Sequence, residues 1–455
     1  MFLDCTPLIA DNSACNGLGM AVADIDGDGA FEILVTGYGE SNRVLKWTGS
    51  ALVEVTPPQL ADPGGLAVGV AAGDIDGDGR EEIYIVNSDK NTGARREPDR
   101  LFAAFGNHWL DLLAQAKNVD AAPTAPACSV ACIDRRGHGR YGFVVATEGA
   151  PFALLELERD GKLVDVAEDI GIDLSAHGRG LLTAPLLSDH MDIVASNEKG
   201  PNFLFRNLGD GTFEDVAAKR GIADAHQSGR GLALVDVAGD GLFDLVCANW
   251  QGSQRLFVQR PGGVFVDAAH FELSMPGRMR SVVVGDFDND GFQEILFLGY
   301  GEPNRLFAWR HDVWTETDPA DATESHAFST GAVVGDFDGD GRLEVLINHC
   351  GHSTAPLTLF RTAPNHNSWL RVLPLTAAGA PARGAVVTCV AGKRSQRRVV
   401  CAGSGYLCQM EPVAHFGLGS ATAVERVEVR WPNGLVAEIE RPPLGRVLTV
   451  SYPPK

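Results

Sequence analysis

Apolar and polar positions along this chain alternate in short runs, without the three-to-four spacing of a helix. Runs of small and β-branched residues, among them GLGMAVA, AVGVAAG, RSVVVG and TGAVVG, read as buried strands. Each leads into an acidic stretch and then a second apolar run such as EILVTG or EILFLG. A third strand follows in most units, as NRVLKW at Asn42, NFLFRN at Asn202, QRLFVQ at Gln254 and NRLFAW at Asn304. A fourth carries the alternation Phe213-Glu214-Asp215-Val216, Leu163-Val164-Asp165-Val166 or Phe265-Val266-Asp267-Ala268. The pattern predicts four-stranded antiparallel units.

These units repeat. The segments VADIDGDGAFEIL, AGDIDGDGREEIY, VGDFDNDGFQEIL and VGDFDGDGRLEVL are nearly superimposable, with first aspartates at Asp24, Asp74, Asp286 and Asp336. A fifth copy starts at Asp236 with Ala238 in place of one aspartate, and degenerate copies start at Asp134 and Ala184. The intervals run from 50 to 60 residues, the period of a propeller blade. One unit cannot bury its apolar face alone, so seven of them predict an all-β, seven-bladed β-propeller over 1–363. Phe2-Leu3-Asp4-Cys5 resembles a fourth strand, and the last blade lacks one after Leu357–Arg361. The N-terminal strand is therefore expected to complete that blade and remove an open edge.

Composition narrows the function. Glycine at 53 residues suits many tight turns, and 45% hydrophobic content is that of a globular chain. A formal charge of −21 argues against nucleic acid and anionic membranes as partners, and no apolar stretch is long enough for a membrane-spanning helix. MFLDCTPLIADNSACNG has neither a basic nor an apolar leader region, so a cytoplasmic location is expected; a processed secreted chain would look the same. The nine cysteines follow no zinc spacing, Cys128 and Cys132 or Cys401 and Cys408 included, and read as buried or free thiols.

The acids are clustered. D-x-D-x-D-G-x-x-[DE] puts carboxylates at positions 1, 3, 5 and 9 of a turning loop, with glycine permitting the turn. Calcium takes six to eight oxygens, which four carboxylates, a backbone carbonyl and water supply; zinc would require nitrogen or sulfur. The four complete sites are Asp24, Asp26, Asp28 and Glu32; Asp74, Asp76, Asp78 and Glu82; Asp286, Asp288, Asp290 and Glu294; and Asp336, Asp338, Asp340 and Glu344. Asp236, Asp240 and Asp244 form a reduced fifth. Calcium is expected as a structural cofactor, since a hairpin of four carboxylates leaves few open positions for catalysis. The competing reading is a solvated acidic hairpin without metal.

The loops look like FG-GAP/VCBS-type repeats. In the C-terminal part, Asn367-Ser368-Trp369-Leu370-Arg371-Val372, Arg383-Gly384-Ala385, Gly403-Ser404-Gly405-Tyr406-Leu407, His415-Phe416-Gly417-Leu418-Gly419 and Val429-Arg430-Trp431-Pro432-Asn433-Gly434 resemble the ASPIC/UnbV (cartilage acidic protein-like) family. The resemblance implies a small β-rich ASPIC/UnbV domain over 366–455. Cys408 stands where that family usually has a small hydroxyl residue. Glycines and a Trp-Pro turn in such a signature read first as fold determinants.

Propeller ligands commonly sit at the channel mouth, where the loops entering the inner strands converge. Those loops carry His177 and Arg179, His226 and Arg230, Arg278 and Arg280, and His326. His349 and His352 follow an inner strand of the last blade. His226, Arg230, Arg278, Arg280 and His326 are the candidate pocket, with arginines holding an anionic or carbonyl oxygen and a histidine moving a proton. Pairing of these side chains with blade acids is the simpler alternative. No P-loop, dinucleotide fingerprint or Ser-His-Asp order stands out. Two functions follow: an enzyme without redox cofactor acting on a small molecule, which the resemblance places in enediyne-type biosynthesis, or a non-enzymatic module binding protein or glycan.

Overall fold

The computed structural model describes residues 1–88, 97–106, 108–237, 239–311, 313–351 and 354–454; Ala238 and His352 lie outside them. Its strands pair into seven antiparallel four-stranded units, here blades 1–7. Their first strands are Gly17–Ala23, Ala67–Gly73, Ala127–Ile133, Ser175–Ala184, Gly229–Val235, Gly277–Gly285 and Ser329–Gly335. Each packs against the first strand of the next blade, and the seventh against the first, so the ring closes. Small residues let these strands approach at the axis. A Cβ on Gly19 would stand 2.7 Å from the Val68 carbonyl of the next blade, and one on Gly69 2.7 Å from that of Cys128.

Blade 7 takes Phe2–Asp4 as its outer strand, paired antiparallel with Thr358–Thr362. Phe2 is fully buried and meets the Phe287 ring edge-on at 5.1 Å. The recurring asparagine of the third strand is a brace. In blade 1 Asn42 Oδ1 accepts from the Gly37 amide and its Nδ2 donates to the Leu60 carbonyl. Asn304 does the same with Gly299 and Ala322. The aspartate of the fourth strand ties down the edge: Asp215 accepts from the amides of Leu204 and Ala217.

Beyond blade 7 the chain forms two sheets around a separate apolar core that includes Leu370, Phe416, Val427 and Trp431. One sheet holds Ser368–Pro374 between Ala414–Gly419 and Val447–Val450; the other orders Arg394–Val399, Val386–Ala391, Arg426–Arg430 and Val436–Glu440. This C-terminal unit covers the face of the ring that carries the acidic loops. Arg371 reaches Asp336 at 3.1 Å, and the Gly417 amide donates to Asp286 at 3.0 Å. Arg383, fully buried, pairs with Glu81 at 2.6 Å and donates to the Val22 carbonyl. Among the described residues no disulfide links the nine cysteines.

Candidate functional site

Each acidic loop links the first two strands of its blade, and position 9 opens the second strand. There the glutamate divides its two oxygens. Oε2 of Glu82 accepts from the Ile75 amide at 2.8 Å, as Glu294 does from Phe287 and Glu344 from Phe337. The other oxygen, Oε1 of Glu294 and of Glu344, is buried without a hydrogen-bond partner. Two residues of the loop adopt left-handed backbone, at positions 4 and 6, as in Gly77 (φ 81°) and Gly79 (φ 97°). In blade 6 Asn289 takes the first of these at φ 59°, which asparagine tolerates better than most residues.

Four loops gather acids closely enough to hold one ion: Asp24, Asp26 and Glu32; Asp74, Asp76 and Asp78; Asp286, Asp288 and Asp290; Asp336, Asp338 and Glu344. Burial pushes Glu82 up to about 9, with Asp76, Asp74 and Asp78 adding repulsion. Burial likewise raises Asp74 and Asp336 to about 6, and Glu294 and Glu344 well above the carboxylate range. Such crowding of buried like charge, with orphaned oxygens aimed among them, is the arrangement a hard divalent cation relieves. Side-chain cations answer part of it. Lys46 contacts Asp26, Asp28 and Glu32, Arg310 contacts Asp288 and Asp290, and Arg361 contacts Asp338. The Asp74 loop has no ion pair of this kind among the described residues.

Asp236, Asp240 and Asp244 are not brought together in this way. Asp244 gives one oxygen to the Val237 amide and the other to the Gln259 amide, so its short side chain is spent on the backbone. Asp192, in the blade starting at Ala184, is used identically, by Leu187 and Asn207. In these two blades position 9 thus keeps its structural duty although the loop does not gather its acids.

The central channel is occupied by the chain itself. Residues 402–409 of the C-terminal unit rise through it and bond to inner strands of four blades. Ala402 exchanges both backbone bonds with Thr183, and Gly405 with Leu232; the Gln409 amide donates to Met20 and its carbonyl accepts from Val22. The Gln409 side chain adds a pair to Ala72, through both N–H and carbonyl. The signature Gly-Ser-Gly-Tyr-Leu therefore makes a plug, with Tyr406 and Leu407 buried in the same core as Leu18 and Val68. The sequence marks the signature glycines only as fold determinants; nothing local marks their distant partners.

Every first strand is bulged at one register, and the bulged residues are Leu18, Val68, Cys128, Arg179, Arg230, Arg280 and Thr330. A bulge re-aims a side chain. Three consecutive blades thereby contribute arginines to one ring. Arg179 contacts Glu198 and lies 3.2 Å from Glu148, and Arg230 lies 2.6 Å from Glu198. Against the opposing effect of burial, Arg230 and Arg179 hold Glu198 down at about 2. Arg280 differs. Its guanidinium lies 4.0 Å from the Tyr300 ring centre and 5.4 Å from that of Trp250, and among the described residues no carboxylate pairs with it. Phe328 meets Tyr300 edge-on at 4.8 Å and extends the aromatic surface.

Of the predicted pocket residues, then, Arg230 and Arg280 flank Trp250. Arg278 is held by Glu302 at 2.9 Å. His226 and His326 stand on exposed turns, without a hydrogen bond or ion pair among the described residues. His177 is half-buried, its amide bonded to Asn197. His349 is buried and bonded to Thr358 at 2.9 Å. The residues sequence reading missed are Trp250 and Tyr300; the signal was the column of residues preceding the small residue of each inner strand, and its neighbour across the blade.

An all-β ring with acidic hairpin loops and a plugging C-terminal unit defines a class: FG-GAP-type propellers joined to an ASPIC/UnbV domain. The family model described as "FG-GAP-like repeat" matches residues 13–85, 188–247, 236–297 and 287–347, and "ASPIC and UnbV" matches 376–455. Human cartilage acidic protein 1 is 43% identical over 476 residues, covering 96% of this chain and 72% of the relative. The Xenopus tropicalis protein of that name is 41% identical, covering 96% and 73%. The chain belongs to the cartilage acidic protein 1 family. Among solved structures, BBS1N in complex with ARL6DN is similar in fold, with a TM-score of 0.51 at 12% identity, covering 80% of this chain and 98% of that one. Among the described residues no helix is long and apolar enough to cross a membrane.

Proposed function

We propose that the chain is a calcium-stabilised propeller that binds a small anionic ligand at its channel mouth without transforming it. Arg280 carries the ligand reading. A half-buried guanidinium stacked on Tyr300 and Trp250, with no carboxylate pairing with it among the described residues, keeps its planar fork available for a ligand oxygen. Arg179 and Arg230 are already paired with Glu148 and Glu198, so they supply shape and a positive rim. Binding is favoured over the enzyme of specialised metabolism because the two candidate proton carriers, His226 and His326, make no polar contact with that ring.

The test is a thermal-shift screen of small carboxylates, sulfates and sugar acids. Compounds that raise the melting temperature are expected to lose the effect in Arg280→Ala and keep it in Arg278→Ala. Effects surviving in Arg280→Ala would sink the reading. For the metal, the supporting observation is the set of orphaned buried oxygens, Glu294 Oε1, Glu344 Oε1, Asp286 Oδ1 and Asp336 Oδ1. All-oxygen loops with backbone carbonyls at hand suit calcium better than magnesium, which prefers a stricter octahedron. Calcium at a hundredfold excess over its Kd adds about 2.7 kcal/mol per site. A chelator is therefore expected to lower the melting temperature by many degrees, with recovery on adding calcium; an unchanged value refutes it.

A further inference from the structure

Beneath blades 5–7, where the propeller meets the C-terminal sheets, lies a cavity of about 110 Å³. It is separate from the channel mouth, on the opposite face of the ring. Phe243, Val284, Leu343 and Met410 form apolar wall, and Arg398 and His415 are polar groups within it. Both are more than nine-tenths buried, with exposures of 9% and 8%.

Neither is satisfied. Arg398 donates from Nη1 to the Arg397 carbonyl and from Nη2 to Gln396 Oε1, each at 3.0 Å, while its Nε has no partner. Among the described residues no carboxylate forms an ion pair with it. Asp286 and Asp236 act on it only from a distance, and a buried cation without a direct partner is costly. The His415 ring meets Asn289 Oδ1 through Nε2 at 2.6 Å, and Asn289 donates from Nδ2 to the Gly341 carbonyl at 2.8 Å. That second bond fixes which end of the amide faces the ring, so Nε2 carries the proton. Nδ1 is left as a buried acceptor with no donor.

We propose that this cavity binds a short monocarboxylate bearing a hydroxyl group, a small 2-hydroxy acid. The carboxylate answers Arg398, the hydroxyl donates to His415 Nδ1, and the short apolar remainder lies against Val284 and Leu343. Asp286 and Glu411 also border the space, and their charge disfavours a dianion such as phosphate. The volume, on the scale of several water molecules, admits a small hydroxy acid.

The experiment is calorimetric titration of the calcium-loaded full chain with glycolate, lactate and 2-hydroxybutyrate, and with inorganic phosphate. Saturable binding of at least one hydroxy acid, and none of phosphate, is expected. Arg398→Gln should weaken it about tenfold or more, the loss of one charge-assisted pair. Val284→Phe fills the cavity, leaves Arg398 in place and should abolish binding, which decides the matter if Arg398→Gln does not fold. Absence of binding by all three acids overturns the proposal. So does binding that persists in both variants, or that is lost in Arg280→Ala instead, which would place the acid at the channel mouth.

Discussion

Glu82 shows how one side chain serves two roles in this loop. One oxygen braces the Ile75 amide, while the carboxylate shares its space with three aspartates and forms no ion pair among the described residues. Burial first, then Asp76, Asp74 and Asp78, raise it from 4.5 to about 9 in the metal-free protein. The unfolded chain releases this proton near 4.5 and the folded one near 9, so between those values the folded state holds more protons. Stability of the metal-free protein should therefore fall as pH rises through that window. Calcium requires the deprotonated loop and gains affinity over the same range. Melting curves in chelator are expected to descend from pH 5 to pH 9, and those in excess calcium to stay level or rise. Glu82→Gln should flatten the chelator curve, stabilise the metal-free protein near pH 8, and reduce the calcium-induced shift by one site of four.

At the scale of the element, what sequence revealed and what it concealed divide by range. The acidic loops were legible because all their determinants lie within nine residues, and the blades because their strands recur at a fixed period. Even the closing strand Phe2–Asp4 could be matched to its copies. The plug could not. Residues 402–409 bond to strands around residues 20, 183 and 232, and no local period records such partners. The mouth was half legible: arginines repeated at the right register, but the bulge that selects Arg179, Arg230 and Arg280 over His226 and His326 is a property of pairing. The plug makes its own prediction. Gly403 has φ 71°, and a Cβ there would lie 2.5 Å from the Leu181 carbonyl of the channel wall. Gly403→Ala should thus cost several kcal/mol, from strain plus displacement of the hairpin. Gly392→Ala, at φ 61° with open space around it, meets backbone strain alone and should cost about 1 kcal/mol. Equal losses in denaturant titrations would contradict the plug.

Seen whole, the molecule is a ring threaded by its own C-terminal unit, and the joint is built from buried charge. Arg383 is fully buried, 302 residues from its partner Glu81, and also donates to the carbonyls of Val22 and Met410. It ties the foot of the plug to blades 1 and 2. Truncating either member strands the other charge in a dry site, which costs about 3–5 kcal/mol, whereas removing both strands none. Arg383→Ala and Glu81→Ala should each destabilise strongly, and the double variant should lose much less than their sum. The site of the damage distinguishes this joint from an ordinary core contact. With the pair intact, ring and C-terminal unit are expected to unfold in one transition, because the hairpin's bonds to Met20, Thr183 and Leu232 exist only when both are folded. In Arg383→Ala, hydrogen exchange should rise first at the amides of Ala402, Gly405 and Gln409 and at Thr183 and Leu232, ahead of the outer strands. Uniform acceleration around the ring would mean that the joint is merely one more packing contact, and that the plug is held by its own hairpin.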